Sequence, residues 1–140
     1  MKKPYQSNNN IVYACNYHVI WCTKYRRKVL IDDIADRCKE LIRTHAIQYS
    51  IDILTMEVMP EHIHLLISVD PQFGIHKAVR TLKGYTSRIL RKEFSSLTTK
   101  LPTLWTNSYF VCTVGELSSE IVQTYIENQK TSQRQKDKMG

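Results

Sequence analysis

The chain has 140 residues, enough for one domain with a sizeable core and too few for two. Twenty Lys and Arg against 13 Asp and Glu leave a net charge of +7, which favours a polyanionic partner, nucleic acid ahead of an anionic membrane surface. No apolar run approaches the roughly 20 residues that span a bilayer, the N-terminal ten residues lack a signal-peptide core, and the four cysteines form no CxxC pair. A reduced, cytoplasmic protein with no membrane partner is expected.

Residues 1–10 are polar and read as a flexible N-terminus, 11–130 as a single domain, and 131–140 as a polar tail with too little apolar surface to fold. From Ile11 to Cys22 apolar residues occupy both alternating sets, which predicts a long strand nearly buried on both sides. Ile11, Tyr13, Cys15, Tyr17, Val19 and Trp21 share one face. A basic turn, Lys24-Tyr25-Arg26-Arg27-Lys28, follows. Ile34, Ala35, Cys38, Leu41, Ile42, His45 and Ala46 then fall at helical spacing over 32–48, with Asp32 as the expected N-cap.

Ile51, Ile53 and Thr55 alternate with Asp52, Leu54 and Met56 in a second strand, which Pro60 ends. The next run, Met59-Pro60-Glu61-His62-Ile63-His64-Leu65-Leu66-Ile67-Ser68-Val69, predicts a third strand hairpinned to the second. Period-two alternation puts Ile63, Leu65, Ile67 and Val69 toward a core and His62 and His64 together on the other face. A strand can carry such a pair as ordinary half-exposed histidines. It can also present two imidazoles to one metal ion.

A second helix is expected over 73–94, a polar turn-rich segment over 95–107 with Trp105 wedged beneath it, a short strand over 109–114, and a last helix over 116–130. The order β-α-β-β-α-β-α predicts an α+β, ferredoxin-like βαββαβ (RRM-like) sheet with an additional C-terminal helix. In that layout two helices cover one sheet face and the histidines emerge on the other, beside the first strand. Tyr125 and Gln129 are spaced i, i+4 on one face of the last helix. Two imidazoles and an amide oxygen make an incomplete neutral shell suited to Mn²⁺ or Mg²⁺, with positions left for phosphate oxygens. Each residue alone has a plainer role: Tyr125 as a half-buried packing tyrosine, His18 as a structural neighbour.

The segments Tyr17-His18-Val19-Ile20-Trp21-Cys22-Thr23-Lys24-Tyr25-Arg26-Arg27, Met59-Pro60-Glu61-His62-Ile63-His64 and Tyr125-Ile126-Glu127-Asn128-Gln129, in that order, resemble the single-tyrosine HUH transposases (TnpA proteins) of the IS200 family of insertion sequences. HUH means His-hydrophobe-His, here His62-Ile63-His64. Glu61 stands where many members of that family carry Asp. The resemblance implies a metal-dependent transposase that cleaves and rejoins single-stranded DNA ends bearing hairpins through a 5′-phosphotyrosine. It further implies Tyr125 as nucleophile and His62, His64 and Gln129 as ligands of Mg²⁺ or Mn²⁺. The expected assembly is a homodimer, its tyrosine helix placed in cis or in trans.

Lys24, Arg26, Arg27 and Lys28 after the first strand, and Lys83, Arg88 and Arg91 on the second helix with Lys77, Arg80 and Lys92, are the candidate DNA contacts. Tyr25 and Tyr85 lie among these charges, where stacking on bases competes with packing. Two other readings share these residues: an HUH nuclease domesticated for a host role, and a non-catalytic module binding hairpin or single-stranded nucleic acid.

Overall fold

Hydrophobic alternation of period two builds a four-stranded sheet in the computed structural model, which describes residues 6–8, 10–13, 15–114 and 126–128. Two short strands, β1 (Gln6–Ser7) and β2 (Val12–Tyr13), pair antiparallel in a separate ribbon. The main sheet comprises β3 (Asn16–Cys22), β4 (Asp52–Val58), β5 (His62–Ser68) and β6 (Phe110–Thr113), in the order β4-β5-β3-β6. All three pairings are antiparallel. Helices α1 (Asp32–Gln48) and α2 (Ile75–Glu93) connect strands, and a short α3 (Ser95–Lys100) follows α2. With β4, the second strand of the first crossover, at one edge and β6, the second strand of the other, at the opposite edge, this is the ferredoxin-like arrangement expected from the sequence.

The core forms where the expected faces meet. Val19 and Trp21 of β3, Ile63, Leu65 and Ile67 of β5, and Val69 just beyond it pack with Cys38, Leu41 and Ile42 of α1 and Val79, Leu82 and Leu90 of α2. Each fully buried aliphatic side chain contributes about 1.5–3 kcal/mol relative to exposure. Across the helices, Arg37 grips Glu93 through two hydrogen bonds of 2.8 and 2.9 Å. Buried His45 of α1 stacks on Tyr85 of α2 with ring centroids 4.1 Å apart.

Several expectations need correction. The first strand is not continuous from 11 to 22: it divides into β2 and β3, and β2 pairs with residues 6–7 of the stretch expected to be flexible. Asp32 is not an N-cap; it opens α1 itself at φ 51°, and no side-chain cap hydrogen bond forms there. The alternation in β4 breaks at a register shift between Ile53 and Thr55. That bulge turns Met56 and Val58, rather than Thr55, toward the core. The turn-rich 95–107 segment contains α3, anchored by buried Leu97. Trp105 does lie beneath its loop, donating from Nε1 to the Lys83 carbonyl and Thr86 Oγ1, both at 3.1 Å.

Candidate active site

Residues directly opposite in antiparallel strands share a face. The register pairs Ile20 with His64 and Cys22 with His62, while Glu57 of β4 lies opposite His64. The two histidines therefore sit mid-sheet, on the side away from the helix-covered core, as the alternation of β5 requires. The surroundings are not open: Ile20 and Cys22 are fully buried there, and Ile126 is 4% exposed.

His62 is oriented by its neighbour. Its Nδ1 donates to Glu61 Oε1 at 2.8 Å, which fixes the tautomer and directs the Nε2 lone pair elsewhere. In a regular strand Glu61 would face away from His62. It belongs instead to the bend after Pro60, which lets its carboxylate come round.

His64 is held differently. Its Nε2 shares a hydrogen with His18 Nδ1 at 3.1 Å. Burial, then the neighbouring His18, lowers the His64 pKa below the usual 6.5, with Glu57 opposing and His62 acting in the same direction, which favours the neutral ring. A neutral imidazole and a carboxylate-supported imidazole on one strand face fit a divalent cation by donor chemistry. Among the described residues no group of three His, Cys, Asp or Glu completes a metal cage. Tyr125 and Gln129 lie outside the described residues.

The basic turn is built into this site. Thr23 N and Lys24 N donate to Glu61 O and Leu104 O at 3.0 and 2.8 Å, and Leu30 N donates to Pro60 O at 3.0 Å. Tyr25 and Arg26 adopt left-handed φ of 59° and 50°. Arg26 then reaches Glu61 Oε1 at 3.8 Å, Glu127 Oε1 at 3.7 Å and the Ile126 carbonyl at 3.4 Å.

The candidate DNA contacts divide into two kinds. Arg27 and Lys28 are exposed and line a recess with Val29 and Lys100. Arg88 is exposed above the Tyr85 ring, and Lys77 and Arg80 flank a second recess with His76. By contrast, Lys83 donates to the carbonyls of Thr106, Asn107 and Ser108 at 2.7, 3.3 and 3.2 Å. Burial pulls its ammonium down from 10.5 to about 8, against a small opposing effect of Cys22. Arg91 donates to Leu97 O and Leu101 O, and Lys24 rests over the Tyr25 ring. Tyr25 and Tyr85 both pack against the core.

Sequence reasoning missed two participants. Glu61 is given no role by the resemblance, although a carboxylate beside a candidate ligand is itself a signal. Arg26 was grouped with the DNA contacts because nothing in the sequence distinguishes it from Arg27.

Comparison with known proteins identifies the family. The family model described as "Transposase IS200 like" matches residues 11–129. The ISDra2 transposase TnpA of Deinococcus radiodurans is 43% identical over 120 residues, 84% of this chain and 86% of that protein. The transposase for insertion sequence element IS200 of Salmonella typhimurium is 30% identical over 130 residues, covering 91% of this chain and 82% of that protein. A crystal structure of a Deinococcus radiodurans R1 protein assigned as a transposase superposes with a TM-score of 0.81 at 41% identity, over 89% of this chain and 97% of that one. A REP-associated tyrosine transposase bound to a REP hairpin shares the fold, with a TM-score of 0.55 at 12% identity over 86% of this chain and 67% of that one. No helix among the described residues is long and apolar enough to cross a membrane. The chain belongs to the family of IS200-like transposases.

Proposed function

We propose that this transposase cleaves and rejoins single-stranded DNA through Tyr125, at element ends it recognises as hairpins. The observation that carries the reading is the pair His62 and His64 on one strand face, His62 oriented by Glu61 and its lone pair left for ligation. Arg26 adds support by joining that strand end to residues 126–127, next in sequence to Tyr125.

His62, His64 and Gln129 would hold Mg²⁺ or Mn²⁺, which when bound polarises the scissile phosphate. The Tyr125 hydroxyl, with a free pKa of about 10, loses its proton as its oxygen attacks phosphorus. The bond from phosphorus to the 3′ oxygen breaks, that oxygen takes up a proton, and the 5′ phosphate remains on Tyr125. A 3′-hydroxyl attacking such a phosphotyrosine regenerates the tyrosine and seals a new strand. Each step exchanges one phosphodiester for another, so no nucleotide triphosphate is consumed. Exposed Arg27, Lys28 and Arg88 neutralise DNA phosphates, and a homodimer supplies two such sites for the two ends.

The test is covalent capture of labelled single-stranded DNA carrying an element end, with Mn²⁺ or Mg²⁺, by wild type and Tyr125→Phe. An adduct is expected in wild type, absent with EDTA and reduced at least about a thousandfold in the variant. Tight hairpin binding with no adduct under either metal would overturn the reading in favour of a non-catalytic binding module.

A further inference from the structure

Arg26 joins two parts of the molecule that the strand register does not connect. We infer that Arg26 is a positioning residue, latching the segment that follows Tyr125 onto the His62 end of β5 through a continuous Glu127–Arg26–Glu61–His62 chain. Its catalytic consequence rests on the proposed role of Tyr125; the latch itself does not.

Three observations carry this. First, the links are contiguous: Glu127 Oε1 and the Ile126 carbonyl meet Arg26 Nη1 at 3.7 and 3.4 Å, Arg26 Nη2 meets Glu61 Oε1 at 3.8 Å, and that same oxygen accepts from His62 Nδ1 at 2.8 Å. Second, the inner links are shielded. The Arg26 and Glu61 side chains are 13% and 14% exposed, and Arg26 Nε is buried with no hydrogen-bond partner among the described residues. A guanidinium withdrawn from water this far depends on its carboxylate.

Third, the backbone is shaped to deliver it. Two successive non-glycine residues, Tyr25 and Arg26, hold left-handed φ, a costly conformation kept only where surrounding bonds impose it. Two of those bonds run to the same strand end, Thr23 N and Oγ1 donating to Glu61 O at 3.0 and 3.3 Å, and two close the turn itself, Thr23 Oγ1 donating to Arg27 O at 2.7 Å and Arg26 N to Thr23 O at 2.9 Å. A DNA-contacting arginine needs no such fixing. Arg27, next along, is exposed.

Fixing the tyrosine segment to the residue that orients His62 would set the distance between nucleophile and scissile phosphate, where a displacement of about 1 Å can change rate by about a hundredfold. The test compares full-length wild type, Arg26→Met, Arg26→Lys and Glu127→Gln by hydrogen exchange, DNA affinity and single-turnover adduct formation at saturating hairpin DNA. In Arg26→Met, exchange of amides 126–128 should rise about tenfold or more while β3 and β5 stay protected. Adduct formation should slow by about ten- to a hundredfold with DNA affinity little changed.

Arg26→Lys should recover part of both effects, and Glu127→Gln should show a weaker version, its carboxylate being 57% exposed. Unchanged exchange at 126–128, or a defect confined to DNA affinity, would overturn the latch and make Arg26 a phosphate contact. Raised exchange with an unchanged saturated rate would overturn its positioning role. If Arg26→Met loses the sheet as well, Glu127→Gln decides by the same criteria. If wild type forms no adduct, the proposed function fails, and the exchange at 126–128 still upholds or overturns the latch.

Discussion

The two faces of one sheet are organised by different physics. On the helix-covered face, Val19, Trp21, Ile63, Leu65 and Ile67 are fully buried against α1 and α2, and non-directional apolar burial holds them. Around the other face the contacts that matter are polar and directional: His62 is set by its neighbour Glu61, His64 by His18, 46 residues away, and the Ile126 carbonyl by Arg26, 100 residues away. One face tolerates any filling of the right volume. The other depends on single atoms being in place, so it is the face on which the proposed chemistry would be assembled.

Adjacent residues of β5 give the sharpest division. Leu65→Ala should destabilise the fold by about 2–5 kcal/mol, measured by urea unfolding, with adduct activity falling only as the folded fraction falls. His64→Ala should change stability by no more than about 1 kcal/mol, since it removes one hydrogen bond from a half-buried ring. Its adduct formation should drop by about a hundredfold or more, beyond the tenfold to hundredfold typical of losing an outer partner of a ligand. A His64→Ala protein that unfolds like Leu65→Ala would break the distinction between the faces.

The difference also explains what the sequence could reveal. Ile63, Leu65, Ile67 and Val69 were legible because period two and burial are local properties, and the same alternation put His62 and His64 together. The β4 bulge was not, because its register shift depends on pairing with β5 rather than on any glycine or proline at Leu54. Nor was α3, whose six residues carry a single apolar side chain, Leu97. Glu61 and Arg26 were hidden for a related reason: the carboxylate turns in a bend, and the arginine sits at a left-handed φ that its side chain does not advertise. Tyr125 and Gln129 stand out by their i, i+4 spacing, with their expected roles taken from the resemblance, and both lie outside the described residues.

Basic residues extend the contrast, because equal charges have unequal jobs. Lys83→Met should cost about 1–3 kcal/mol by removing the donor shared by three loop carbonyls. It should leave the salt dependence of DNA binding unchanged. Arg27→Ala and Arg88→Ala should each change stability by about 0.5 kcal/mol or less. Each should lower the slope of log affinity against log salt by about one. Fluorescence titration at several salt concentrations, alongside thermal unfolding, separates the two kinds. A reduced slope for Lys83→Met would return it to the DNA contacts.

An effect confined to alkaline pH probes how dry each face is. Cys38 of α1 lies in the core, and burial alone pushes its thiol from 9.0 up to about 12. Cys22 lies on the histidine face, where burial raises it to about 11 while Arg26 and Lys83 pull down and Glu61 pushes up. For either thiol the unfolded chain releases its proton above 9.0 while the folded one keeps it. Stability therefore holds below pH 9 and declines as pH rises, over a window reaching about 12 for Cys38 and about 11 for Cys22. Replacing either residue by Ala should flatten that decline in urea titrations run under reducing conditions between pH 8 and about 11. Both variants should flatten it above pH 9, and the Cys22 contribution should begin to level off first, its slope about halved near pH 11. A decline that neither variant flattens would mean that neither sulfur is kept from water as its burial requires.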